Sequence, residues 1–206
     1  MNFNGIEYEE CEEVYPPAED TFLLIDNLII DKSDSVLEIG TGTGLVSICA
    51  SYKCSQVTST DINPYALKCA ETNVKLNNRT NINIIHSDLF ENIGNKYDLI
   101  LFNTPYLPVT EEEHVNDNYS KSWDGGENGR EIIDKFLKEA PHYLKKGGKI
   151  QIIQSSLSNN EKTLDILEKE GLKAEITAIE HIFFEDITLI TAYKEAKRTL
   201  FFCTNQ

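Results

Sequence analysis

At 206 residues, with 40% hydrophobic and 26% charged residues, the chain has the size and composition of one soluble α/β domain. Its formal net charge of −15 repels phosphate backbones, which weighs against nucleic acid as the main partner; solubility is the plainer reading of the acidity. No apolar run is long enough to span a bilayer and no signal-peptide core opens the chain, so no membrane association and a cytoplasmic location are expected.

Met1 to Glu13 is polar and acidic and is expected to be loosely ordered. Pro16-Pro17 fix the chain ahead of a helix whose first turn suits Glu19 and Asp20. Phe22, Leu23, Leu24, Leu28 and Ile29 make its apolar face, to about Ile30. After a turn at residues 31–34 comes a short buried strand, Val36-Leu37-Glu38-Ile39, then glycines at every second position, Gly40-Thr41-Gly42-Thr43-Gly44, then an apolar helix from Leu45 to Ala50. Strand, glycine turn and helix bring a backbone close to a ligand, because glycine has no Cβ and the helix start presents free N–H groups. Dinucleotide folds want G-x-G-x-x-G. The spacing here is G-x-G-x-G with Glu38 two residues ahead, which resembles the pattern of Rossmann-like S-adenosylmethionine (SAM) methyltransferases and disfavours a nicotinamide dehydrogenase. Such a ligand needs no phosphate cradle, only a flat approach and a partner for its ammonium. Taken alone, the motif also fits an ordinary glycine-rich turn.

Residues 56–61 are β-branched and read as the second strand, ending at Asp61, about 20 residues past the glycines, where Rossmann-like folds place an acid on ribose hydroxyls. Asn63-Pro64 opens a helix that Asn77-Asn78 stops. Residues 81–86 form a third strand, followed by Asp88-Leu89, an acid and an apolar neighbour suited to an adenine amine and its ring. Tyr97 to Phe102 reads as a strand buried on both faces and ends at Asn103-Thr104-Pro105-Tyr106. A polar loop over about 107–128, a helix over 129–144, a strand over 149–154, a helix over about 159–170 and two strands over about 173–182 and 187–193 complete the chain. The expected architecture is therefore one domain, residues 1–206, with residues 1–30 packing on the core. Its fold is a Rossmann-like three-layer α/β sandwich with a mostly parallel seven-stranded sheet and one antiparallel strand. Glu38, Asp61, Asp88 and Asn103 all fall at strand ends, the rim where such sheets bind ligands.

The five cysteines, Cys11, Cys49, Cys54, Cys69 and Cys203, form no C-x-x-C pair and are odd in number, so neither a zinc site nor a disulfide framework is expected. Cys49 and Cys69 read as small buried apolar residues in helices. His86, His114, His142 and His181 have no metal-ligand spacing.

Three blocks carry a resemblance that covers nearly the whole chain. Asn103-Thr104-Pro105-Tyr106 resembles the Asn-Pro-Pro-Tyr signature of amino-methyltransferases. Residues 15–24, Tyr-Pro-Pro-Ala-Glu-Asp-Thr-Phe-Leu-Leu, and 122–130, Ser-Trp-Asp-Gly-Gly-Glu-Asn-Gly-Arg, resemble the short archaeal and eukaryotic branch of HemK-type glutamine methyltransferases. The resemblance implies transfer of a methyl group from SAM to the amide nitrogen of the glutamine in the Gly-Gly-Gln loop of class-1 release factors, a step of translation termination. Position by position it implies a SAM site at Thr21, Glu38, Gly40, Thr41, Gly42, Gly44, Asp61, Asp88, Leu89 and Asn103. The catalytic segment would be Asn103, Thr104, Pro105 and Tyr106, with no metal. It also implies a heterodimer with a small zinc-binding activator at the apolar edge made by Ile82, Ile84 and Ile85 of the third strand.

An amide lone pair is delocalised into its carbonyl. Two acceptors on its N–H groups, the Asn103 side-chain oxygen and the Thr104 carbonyl, would orient that lone pair and offset the charge that develops. Thr104 departs from the family's proline, so some loop rigidity is expected to be lost, although Pro105 still biases Thr104 toward extended geometry. Arg130 either anchors the loop, meets the acceptor protein or is a surface residue at a helix start. Methylation of a nucleic-acid base, methylation of a protein lysine and a SAM-binding scaffold without activity remain as rival functions.

Overall fold

The computed structural model describes residues 1–110, 112 and 117–195; His114, Cys203 and part of the expected loop 107–128 lie outside them. Seven strands, β3 (Ser35–Ile39), β4 (Gln56–Asp61), β5 (Ile82–His86), β6 (Tyr97–Asn103), β7 (Leu144–Ser155), β8 (Leu172–His181) and β9 (Asp186–Lys194), form a sheet in the order β5-β4-β3-β6-β7-β9-β8. Only β9 runs against its neighbours. The expected fold class is thus the observed one. The third strand of the sequence reading, β5, lies at the sheet edge, with Ile82, Ile84 and Ile85 half-buried.

The sheet interior follows from period-two alternation of continuously apolar strands. Leu37, Ile100, Phe102 and Ile152 face one core with Phe90, Phe136 and Leu137. Val36, Leu99, Leu101 and Ile153 face the other, with Leu24, Leu45 and Ile48. The helices that cover these faces are α1 (Glu19–Asp26), α2 (Leu45–Ser51), α3 (Pro64–Leu76), α4 (Glu131–Glu139) and α5 (Asn160–Lys169). Asn63 caps α3 by accepting from the Tyr65 N–H at 2.9 Å, with Pro64 at the first helical position.

Four local expectations differ from the observed structure. Residues 1–13 are ordered. They form a hairpin, β1 (Asn2–Phe3) with β2 (Ile6–Glu7), and Phe3 stacks on Phe22 at 4.9 Å. Glu9 exchanges two hydrogen bonds with the side chain of Asn73 on α3, at 2.8 and 3.0 Å. Cys69 is not a lone apolar residue: it forms a disulfide with Cys11 across 58 positions of sequence. The partners of Glu9 and Cys11 lie on α3, far along the chain, so the segment's own composition does not betray its order. Helix α1 stops at Asp26 rather than near Ile30, because the buried side chain of Gln151 clamps its exit. The Gln151 amide donates to the Asn27 carbonyl at 2.8 Å and accepts from the Ile29 N–H at 3.0 Å. Helix α4 is shorter than the expected 129–144 span; a 3-10 turn at Ala140–Tyr143 replaces its end, where Pro141 has no N–H to give.

Candidate active site

The glycine turn lies between β3 and α2, at the carboxyl ends of the parallel strands. Gly40, Gly42 and Gly44 all have positive φ, +65°, +54° and +81°. Their roles differ. A Cβ on Gly44 would sit 3.0–3.1 Å from Ala70, so this glycine lets α2 and α3 approach. A Cβ on Gly42 would meet only the Tyr15 carbonyl at 3.9 Å, leaving the backbone open to a cavity. That cavity has a volume of about 740 Å³, within the usual range of ~300–1,000 Å³ for small-molecule sites.

Most of the residues singled out in the sequence line it: Thr21, Glu38, Gly40, Thr41, Gly42, Asp61, Asp88, Leu89, Asn103 and Pro105. Gly44 does not; it serves the helix contact. Thr104 and Tyr106 line a smaller cavity of about 290 Å³, together with Leu107, Tyr119 and Trp123. Tyr15, Asp20 and Ser122 border both.

Glu38 is buried behind the turn. Its carboxylate accepts from the Thr41 hydroxyl at 2.8 Å and from the Ser47 hydroxyl. Burial pushes its carboxyl up to about 7, against the pull of those two hydroxyls. Asp61 is also held above the ordinary carboxylate range by burial. The N–H groups of Gly42 (2.9 Å) and Asn63 (2.8 Å) hold its two oxygens and pull the other way. Asp61 therefore ties the glycine turn to the end of β4. Its carboxylate also lines the larger cavity.

Asn103, the last residue of β6, lines the larger cavity, and its side-chain oxygen is buried with no hydrogen-bond partner among the described residues. Buried acceptors are nearly always satisfied, so an orphan at a cavity wall marks a place for a donor. Thr104 is buried, and its loop is not slack. Its N–H and its hydroxyl both donate to the Ile153 carbonyl on β7, at 3.3 and 2.8 Å. The rigidity expected to be lost with the proline is supplied by a second strand. Tyr106 donates to Asp20 at 3.2 Å. Burial and the nearby Asp20 charge push its phenol far above the usual value, and burial takes the Tyr15 phenol up to about 12.

The block at 122–130 proves to be the frame of the Asn103–Tyr106 segment. Leu107 and Trp123–Gly125 exchange backbone hydrogen bonds at 2.9 Å. A Cβ on Gly125 would fall 2.8 Å from the Pro105 carbonyl, and one on Gly129 would overlap that of Tyr106. Arg130 is no surface residue: it is 3% exposed. Its guanidinium donates to the carbonyls of Ser158 and Asn159 and to Asp134, and the Ser158 hydroxyl donates to the Tyr106 carbonyl at 2.7 Å. Sequence reasoning missed Asp20, Asn63 and Ser158. The sequence signals were a buried-type acid in a first helical turn, an N-cap directly after Asp61, and a serine run before α5.

A mostly parallel seven-stranded sheet with this order, a glycine turn after the inner strand β3 and polar groups along one rim define a Rossmann-like methyltransferase. The family model for the methyltransferase small domain matches residues 19–119. A Methanocaldococcus jannaschii protein named provisionally as a protein N5-glutamine methyltransferase is 48% identical, over 94% of this chain and 98% of its own. Human methyltransferase HEMK2 is 33% identical over 78% of this chain and 80% of its own. The solved structure of an E. cuniculi Mtq2–Trm112 complex, responsible for methylating the termination factor eRF1, contains a chain that is 27% identical. It superposes with a TM-score of 0.70 over 89% of this chain and 99% of that one. The chain belongs to the protein N5-glutamine methyltransferase family.

Proposed function

We propose that this chain is the catalytic subunit that methylates the Gly-Gly-Gln glutamine of a class-1 translation release factor, with SAM as methyl donor. The observation that carries the reading is the orphaned side-chain oxygen of Asn103 at the wall of the larger cavity. The named activities of the relatives agree with it. The residues present suit the donor. Thr21 and the Gly40–Gly42 backbone would hold its methionine end, Asp61 its ribose hydroxyls, and Asp88 and Leu89 its adenine, while Glu38 fixes the turn through Thr41. When bound, SAM supplies an electrophilic methyl carbon.

Everything else falls to the chain. Asn103 Oδ1 accepts one N–H of the glutamine amide and the Thr104 carbonyl the other, which aims the lone pair and offsets the positive character it gains. The proton lost from nitrogen passes to water. Tyr106 is a neutral phenol at physiological pH and serves as a wall and a donor to Asp20, not as a base. The acceptor side chain enters through the smaller cavity, between Tyr106, Tyr119 and Trp123.

The half-exposed apolar edge of β5 is where a small activator subunit, zinc-binding in this reading, adds its strand and covers an otherwise open edge. The chain acts as one methyltransferase domain in the cytosol, where its acceptor works; both cores lie against a single sheet. Methyl transfer from labelled SAM to a release factor, with and without a candidate activator and with the site located by peptide mass spectrometry, tests the reading. The expected result is a methyl group on the Gly-Gly-Gln glutamine, reduced at least a hundredfold in Asn103→Ala. Donor binding without transfer to the factor would overturn it.

A further inference from the structure

The turn joining β8 to β9 lies at the rim of the candidate site. Ser155 at the end of β7 pairs with Ile187, and Ile153, two residues back, pairs with Asn103. The turn is closed by the Ile182 N–H on the Glu185 carbonyl at 3.1 Å. The Asp186 N–H donates to the Ser156 hydroxyl at 3.1 Å, which joins the turn to the segment whose Ser158 holds Tyr106.

At its tip Phe183 is 92% exposed and Phe184 88%, their rings packed edge to face at 4.9 Å. Ile182 beside them and Leu157 on the adjoining turn are exposed as well. Adjacent, fully solvated phenylalanines on a rim are not the scattered apolar residues of an ordinary surface. Aromatic anchors of this kind dominate protein interfaces. Acids border the patch: Glu180, Glu185 and Asp186, the last of these paired at 2.7 Å with His181 at the end of β8. One oxygen of Glu185 is buried without a hydrogen-bond partner among the described residues. Its charge also bears on the phenols of Tyr15 and Tyr106, which places it on the site side of the turn.

We infer that the Phe183–Phe184 tip is the docking point for the body of the acceptor protein, engaging an apolar patch bordered by Lys or Arg next to the loop that carries the glutamine. This rests on the function proposed above. Two observations select that occupant: the patch is continuous with the acceptor side of the site, and its acidic border on a chain of net charge −15 calls for a basic partner. A short peptide enters the cavity without reaching the tip; a folded acceptor reaches both.

The test compares wild type with Phe183→Ala/Phe184→Ala, activator present throughout, on an intact class-1 release factor and on a short peptide containing its Gly-Gly-Gln sequence. The expected result is a KM for the intact factor raised at least tenfold, with kcat, donor affinity and turnover of the peptide within twofold of wild type. An unchanged KM for the factor overturns the docking point while leaving the proposed function standing. A wild type that methylates neither acceptor overturns both. If sedimentation shows that the wild type self-associates and the double variant does not, the tip is an interface between copies of this chain, and the inference is wrong.

Discussion

Thr104 places two donors on one oxygen: its backbone N–H and its hydroxyl both reach the Ile153 carbonyl, at 3.3 and 2.8 Å. Thr104→Pro removes both, whereas Thr104→Val removes only the hydroxyl. The valine variant should lose about 1 kcal/mol and the proline variant about 2 kcal/mol, since it leaves a buried carbonyl unpaired. Thr104→Pro should not raise turnover above wild type. Urea melts and initial rates check this; a proline variant more than tenfold faster would show that the native loop is poorly organised.

Arg130 reaches the Asn103–Tyr106 segment through Ser158. Arg130→Met leaves the Ser158 and Asn159 carbonyls without their shared donor. Asp134 keeps Lys162 at 2.7 Å and is partly exposed, so it is not left as a lone buried charge. The expected loss is therefore about 2 kcal/mol, below the ~3–5 kcal/mol typical of breaking a fully buried pair. Turnover should fall at least tenfold with SAM affinity nearly unchanged, as isothermal titration and rate measurements would show. A loss of stability without loss of turnover would mean that Tyr106 keeps its place unaided.

Glu38 makes stability depend on pH. Burial raises its folded-state carboxyl from 4.5 to about 7. Between those values the unfolded chain has released the proton and the folded one has not. The stability gained from burying the neutral acid is thus complete below about pH 4.5 and is lost as pH rises through 7. Relative to Glu38→Gln, the wild type should lose stability across that window, on the order of a few kcal/mol. Denaturant midpoints at several pH values give the difference; an offset constant with pH would mean that Glu38 is charged throughout.

The Cys11–Cys69 bond closes a segment spanning 58 positions. Chain-entropy reasoning assigns such a closure about 4 kcal/mol, with measured effects of ~2–4 kcal/mol. Reduction, or Cys11→Ser/Cys69→Ser, should lower the melting temperature and loosen residues 1–13 to proteolysis. Tyr15, just beyond that segment, borders both cavities, so SAM affinity should weaken too. Equal melting of oxidised and reduced protein would show that the hydrogen bonds between Glu9 and Asn73 suffice alone.

The sheet and the rim were legible in the sequence because their signals are local. A strand buried on both faces must be apolar at every position, as Leu99 to Phe102 is. A backbone that meets a ligand needs glycine where φ is positive, as at Gly40 and Gly42. Asp61 and Asn103 could be placed at the rim because each is the last residue of a strand, and Asp88 because it comes two residues after one. The order of residues 1–13, the early end of α1 and the burial of Arg130 were not legible. Each depends on a partner far along the chain: Asn73 for Glu9, Gln151 for Asn27 and Ile29, Ser158 and Asn159 for Arg130. By itself, then, the sequence determined the fold class, the polar rim that lines the larger cavity and the resemblance to glutamine methyltransferases, because periodicity, glycine spacing and short motifs are written in neighbouring residues. The tertiary structure alone decided what holds the Asn103–Tyr106 segment rigid and which polar groups are left unpaired, because hydrogen bonds are satisfied in space, between residues that sequence separation keeps apart.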